Sequence, residues 1–223
     1  MSRIVVTAFK WVPPFAKGLV RDLRVRWALE EAGLPYEQKL IGPEDQASAE
    51  YRALQPFGQV PVMVSEDDKG GTLELFESGA IVLGIAERTE AGDSLLPADP
   101  AQRSRAITWL FAALNSIEPQ VQNLAGIDLF YAGEEWAKLR RPGAEAMVQK
   151  RLSELAAALG DKDYLEDHFS IGDLVMTTVL RILRHTDLVD REPKLAAYLA
   201  RCEARPAFQR ALAAQMAVFE AAE

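Results

Sequence analysis

Two pairs of residues, Val60-Pro61 and Glu77-Ser78, carry the chemistry that this chain announces most clearly. Val60-Pro61 opens an apolar run, and Glu77-Ser78 stands at the mouth of a helical pattern. A proline at a strand edge leaves unpaired backbone beside it. A helix N-terminus presents free N–H groups and a favourable field to an anion. An acidic side chain can meet an ammonium group. Together these parts suit a small peptide-like ligand that carries carboxylates. The plainer alternative is an ordinary hairpin followed by a helix that Ser78 merely caps.

The elements around these pairs follow from periodicity. Ile4 to Phe9 reads as a buried strand rich in β-branched residues. Lys10 to Gly18 contains Pro13-Pro14 and is loop. Leu19 to Ala32 reads as a helix with Leu19, Leu23 and Trp27 on one face, stopped by Gly33 and Pro35. Tyr36 to Ile41 is a second strand, parallel to the first through a right-handed crossover. A short helix is expected within Gly42 to Leu54. Val60 to Val64 and Thr72 to Phe76 form an antiparallel hairpin across the turn SEDDKGG, and Ser78 to Arg88 a helix. The order βαβ, short helix, ββα is that of a thioredoxin-like domain, without the CxxC of dithiol chemistry.

Thr89 to Asp99 reads as a linker, and the chain beyond it is helical in period. Helices are expected over Pro100 to Leu124, with Asp99 as N-cap, and over Ala144 to Leu159, Ser170 to Leu183, Pro193 to Arg201 and Pro206 to Ala221. Gly126 to Gly143 resists assignment. In HFSIGDLVMTTVL, Ser170 and Asp173 have capping-box spacing, with Phe169 and Leu174 at the staple positions.

QPFGQVPV followed by LFESGAI resembles the glutathione-binding segment of cytosolic glutathione transferases. The capping box resembles one in that family's helical domain. The resemblance implies an α/β thioredoxin-like N-terminal domain (residues 1–88), a linker (89–99) and an all-α C-terminal domain (100–223). It implies that Pro61 is cis, that Val60 pairs with the cysteinyl backbone of glutathione, and that Glu77 and Ser78 hold its γ-glutamyl group. Gln59 is a further candidate contact. The implied activity is transfer of the glutathione thiolate to a hydrophobic electrophile at the domain interface. A peroxidase, lyase or dehalogenase would use the same site, and a non-catalytic interaction module the same scaffold.

The chain departs from the family where the thiol is activated. Most members place a Tyr, Ser or Cys just after the first strand, and its hydrogen bond stabilises the thiolate. Here PPFA stands where others often read SPFS, so the position falls on Pro13 or, counted back from RVRWALEEAGLPYE, near Leu19. No Ser, Thr, Tyr or Cys lies between Ala8 and Tyr36, and Thr7 reads as buried in its strand. The substitutes are the backbone at Leu19 with the start of its helix, a charge on Lys10, Lys17 or Arg21, and the indole of Trp11. Trp11 and Phe15, with Trp109, Phe111 and Asn115, are the candidates for an electrophile pocket, although such aromatics at helical spacing are commonly core.

The acidic balance, 33 Asp plus Glu against 25 Lys plus Arg, argues against nucleic-acid binding. The basic runs Arg21 to Arg26 and Lys138 to Arg141 read as solvated faces or helix ends. Cys202 is the only cysteine and reads as a packing residue, and His168 and His185 as local structural residues. No metal-ligand spacing appears. MSRIVVTAFK lacks the apolar core of a signal peptide, and no segment approaches the roughly 20 apolar residues of a membrane span. Cytoplasm is the expected compartment, and the resemblance implies a homodimer.

Overall fold

A computed structural model describes residues 3–67, 70–88 and 95–221. Asp68 and Lys69 of the hairpin turn, and residues 89–94 of the expected linker, lie outside the described residues. The chain divides into two compact units, residues 1–95 with 206–223, and residues 96–205.

The first unit is built on a four-stranded sheet in the order β2-β1-β3-β4. Strand β1 spans Arg3–Phe9, β2 Glu37–Ile41, β3 Val62–Glu66 and β4 Thr72–Phe76. As the crossover requires, β1 and β2 are parallel, whereas β3 is antiparallel to both β1 and β4. Helix α1 (Asp22–Ala32) forms the crossover and stops at Gly33, whose φ of 65° is left-handed. The polar stretch after β2 holds two short helices, α2 (Pro43–Ala47) and α3 (Ala49–Leu54), and α4 spans Ser78–Ala86.

Helix α1 starts later than its apolar face suggests. Leu19 lies in the preceding turn, its amide bonded to the Ala16 carbonyl at 3.0 Å. The expected loop contains one 3₁₀ turn, Pro14–Ala16. Val12 anchors this loop by packing with Val218 and Phe219. The reading of Arg21 to Arg26 as a solvated face is corrected here. Arg24 and Arg26 are each only 2% exposed. Arg26 is tied to the buried Asp22 at 2.6 Å and to Gln38 at 2.9 Å, so it enters the core already paired.

The second unit is helical. Helix α5 spans Pro100–Ala112, with Asp99 accepting from the Gln102 amide at 2.9 Å as N-cap. The single helix expected to Leu124 is interrupted by a π turn, Ala113–Ile117, before α6 (Glu118–Phe130). Pro119 supplies the cause: it has no N–H to offer the Asn115 carbonyl and its ring crowds it, so the ladder shifts. Helix α7 runs from Glu135 to Leu159, straight through Pro142-Gly143 at the end of the stretch that sequence left unassigned. A buried stripe of Ala137, Ala144, Val148 and Leu152 continues across the proline, and Arg141 clamps Asp128 at 2.7 Å beside it. Tertiary packing overrides the local signal.

Helix α8 (Ile171–Leu180) carries the capping box. Ser170 Oγ accepts from the Gly172 amide at 3.2 Å, and Asp173 accepts from the Ser170 amide at 2.9 Å. Gly172 is fixed by space, since a Cβ there would stand 2.6 Å from Trp109 Cβ. Helix α9 spans Pro193–Glu203. The last helix, α10 (Pro206–Glu220), which sequence grouped with the helical domain, belongs to the first unit. Its Phe208 meets Trp27 of α1 edge to face at 4.8 Å, and Gln215 donates to Asp22 at 2.7 Å.

Cys202 is fully buried, and burial pushes its thiol up to about 12. It is therefore expected to resist thiol reagents at pH 8 in the folded protein and to react at once in denaturant. A spectrophotometric thiol titration with and without urea measures both. Fast labelling of the native protein would contradict its reading as a packing residue.

Candidate functional site

Register sets the site. The β3–β4 ladder ends at Val62–Phe76 and the β1–β3 ladder at Val6–Met63. Val60-Pro61, Glu77-Ser78 and the loop after Phe9 therefore share one end of the sheet. The Val60-Pro61 bond is cis. The Val60 side chain is buried in a cluster with Ile41, Tyr51 and Val62. Both ladders stop short of its backbone, and among the described residues no hydrogen bond to the Val60 amide or carbonyl is formed. A donor and an acceptor thus stand ready for an extended ligand backbone.

The segment before Pro61 is fixed by residues that sequence did not assign to the site. Val62 N–H donates to Thr7 Oγ1 at 2.7 Å. Tyr51 Oη lies 3.1 Å from Thr7 Oγ1 and donates to the Gln59 carbonyl at 2.7 Å. Gln46 donates to the Gly58 carbonyl at 2.7 Å, and Arg52 to the Pro56 carbonyl at 3.0 Å. Gly58 has a φ of 64°, and a Cβ there would strike the Arg52 guanidinium at 2.6 Å. Thr7 is the buried hydroxyl that its strand position implied. Tyr51 carried no signal, because only the folded chain brings it to Thr7. Gln59 itself is exposed.

On the facing side, Glu77 is the N-cap of α4 but makes no side-chain cap bond. Its φ of 65° makes it, among the described residues, the one non-glycine residue with left-handed backbone, a strain of about 1–3 kcal/mol that persists where surroundings enforce it. Its side chain is exposed. Ser78 is the first helical residue, buried, and its Oγ accepts from Arg24 Nη1 at 3.2 Å. Ser78 therefore does not cap the helix. The first helical bond of α4 is Ile81 N–H to the Glu77 carbonyl, which leaves the amides of Ser78, Gly79 and Ala80 without a helical acceptor. An exposed carboxylate beside a cluster of donors suits the α-ammonium and α-carboxylate of one amino-acid end.

The loop Lys10 to Leu19 contributes less than sequence suggested. The Leu19 amide is already bonded, and α1 begins at Asp22, not near Gly18. Its first turn holds the buried Asp22 carboxylate, which occupies the helix field that a thiolate would need. Lys10 lies over Gly42, at the β2 side of the sheet, away from β4. Trp11 is 61% exposed, Phe15 and Lys17 are half-buried, and Arg21 is exposed at the start of α1. In the second unit, Trp109 is half-buried and donates to Glu166 at 3.0 Å. Phe111 and Asn115 are exposed, Asn115 on the π turn. His185 bonds the Ile182 carbonyl and Asp128, a local structural role as read.

A groove of about 560 Å³ lies at the far end of α1, lined by Leu29, Leu34, Tyr36, Arg26 and Arg210. Its cations are internally paired, Arg26 with Asp22 and Arg210 with Glu30, each at 2.6 Å. Among the described residues, no cluster of three or more His, Cys, Asp or Glu is placed to hold a metal ion, and no helix is long and apolar enough to cross a membrane.

Residues 23–88, which include both pairs, match the family model described as glutathione S-transferase, N-terminal domain. A glutathione S-transferase of Nicotiana tabacum is 31% identical, over 85% of this chain and 91% of its own length. The chain belongs to the glutathione S-transferase family. A glutathione transferase of Burkholderia graminis, 29% identical, superposes with a TM-score of 0.82 over 94% of this chain and 87% of its own, and holds two glutathione molecules per subunit. One of Pseudomonas putida, 27% identical, has a TM-score of 0.81 over 94% of this chain and 90% of its own, and holds one glutathione disulfide per subunit. The thioredoxin-like sheet and the helical part are thus the architecture of this transferase family.

Proposed function

We propose that this transferase-family protein binds glutathione at one end of the sheet and delivers its thiolate to a hydrophobic electrophile. The Val60 amide and carbonyl pair with the cysteinyl backbone beside Pro61. Glu77 meets the γ-glutamyl ammonium, and Ser78 with the first amides of α4 takes the carboxylate. Gln59 flanks the tripeptide. The reading is carried by the unpaired Val60 backbone at the same end of the sheet as the unsatisfied N-terminus of α4. The bound relatives from Burkholderia graminis and Pseudomonas putida support it.

With Leu19 engaged and no hydroxyl in the loop, Trp11, Lys17 and Arg21 remain to stabilise the thiolate, through an indole N–H or positive charge. Trp11 and Phe15 are proposed contacts for the electrophile. By the same reading the protein works as a cytoplasmic homodimer.

The missing hydroxyl also favours a second reading, a glutathione-binding module without turnover. Titration calorimetry with reduced glutathione, followed by assay over a panel of electrophiles, separates the two. Saturable heat with glutathione-dependent turnover is expected. Saturable heat without turnover selects the second reading, and no heat at millimolar glutathione rejects both.

A further inference from the structure

Arg24 lies on α1, remote in sequence from both ligand-binding pairs, yet it reaches one of them. The residue is 2% exposed, and its guanidinium Nη1 donates to Ser78 Oγ at 3.2 Å. A guanidinium has donors only and stays protonated in proteins. Ser78 Oγ must therefore be the acceptor in this contact. A hydroxyl has a single hydrogen, so that hydrogen is left for another partner. At the same place the amides of Ser78, Gly79 and Ala80 have no helical acceptor. A group bound to the Ser78 hydroxyl and these amides meets donors, with the Glu77 carboxylate exposed beside them.

Position adds charge to this polarity. A carboxylate oxygen on Ser78 Oγ would lie within about 6 Å of the guanidinium nitrogen, the sum of two hydrogen-bond lengths. Buried charges are screened much less than exposed ones. Sequence hid this role, since Arg24 sits in a basic run that resembles a solvated helix face.

We propose that Arg24 is a positioning residue of the anion subsite. It fixes the Ser78 hydroxyl as a donor and holds a buried positive charge behind it, so the subsite selects a carboxylate over a neutral carboxamide. The proposal rests on the glutathione reading above.

The test is a double-mutant cycle read by titration calorimetry. Wild type, Arg24→Met, Ser78→Ala and the double variant are titrated with reduced glutathione and with its analogue carrying a carboxamide at the γ-glutamyl α-carboxylate. Circular dichroism establishes that each variant is folded. Arg24→Met is expected to weaken glutathione roughly tenfold or more, a charge-assisted contact's worth, and by about threefold or less once Ser78 is alanine. It should also shrink the preference for carboxylate over carboxamide, which a merely structural loss would leave in place. Arg24→Lys, which keeps the charge, should retain most of that preference. Should the methionine variant not fold, Arg24→Gln enters the same cycle. Equal losses in both Ser78 backgrounds, or an unchanged preference in a folded neutral variant, would overturn the proposal. If wild type itself gives no heat, the glutathione reading falls, an outcome distinct from binding that is indifferent to Arg24.

Discussion

Ser78→Ala is expected to raise the dissociation constant for glutathione roughly tenfold to a hundredfold while leaving the fold intact. The hydroxyl is buried, it accepts from Arg24 at 3.2 Å, and it makes no cap bond that α4 would lose. Removing it takes one charge-assisted hydrogen bond from the ligand carboxylate, worth about 1.5–3 kcal/mol, or one to two powers of ten in affinity. The amides of α4 remain, so binding should be weakened, not abolished. Calorimetry gives the affinity and a thermal scan the stability. A variant that binds as wild type does would show that the γ-glutamyl group sits elsewhere. A variant that loses affinity only because it unfolds would return Ser78 to a purely structural role.

The second large effect is on stability, in the helical unit. Asp173→Ala is expected to cost about 4 kcal/mol. The Asp173 carboxylate is fully buried and accepts from the Leu165 amide at 2.9 Å, the Ser170 amide at 2.9 Å, the Ser170 hydroxyl at 3.1 Å and the Tyr198 hydroxyl at 3.0 Å. Alanine removes the acceptor and leaves these donors buried and unmatched, each costing about 1–3 kcal/mol. For a protein of this size the loss corresponds to a fall of about 10 °C in Tm. Urea unfolding followed by circular dichroism measures it, and a loss below about 1 kcal/mol would contradict the account. Burial pushes the Asp173 carboxyl above its ordinary value, against the pull of these donors. A carboxyl raised in the fold contributes most below its unfolded value, and that contribution is lost as pH rises through the folded value. Protonating Asp173 is therefore not what destabilises the protein in acid.

Much of the architecture was legible because local signals and tertiary demands agree. The strands at Thr72–Phe76 and Arg3–Phe9, the glycine stop at Gly33 and the Ser170 capping box each follow from their own few residues. The misreadings arose where distant residues decide. Helix α7 passes through Pro142 because its buried stripe and the Arg141–Asp128 pair hold both sides together. The π turn before α6 was readable in principle, since Pro119 must break the ladder at Asn115. Arg24 and Arg26 looked like surface charge because burial is a property of the fold; Arg26 is held there by Asp22, and Arg24 reaches Ser78.

The site divides in the same way. Val60-Pro61 and Glu77-Ser78 were visible as residue types in order. Their shared end of the sheet is a consequence of the β3–β4 register. The supports beneath them, Thr7, Tyr51 and Arg24, come from three separate segments and make no motif. The left-handed backbone at Glu77 had no sequence signal, since glutamate does not favour it.

The central claim is that one glutathione molecule spans the Val60 backbone and the N-terminus of α4. Its most direct test is a titration of isotopically labelled protein with reduced glutathione, followed by amide chemical shifts. The account predicts that the largest saturable shifts fall on the amides of Val60, Ser78 and Gly79. Shifts centred on the groove between Leu29 and Arg210, or none at millimolar glutathione, would contradict it.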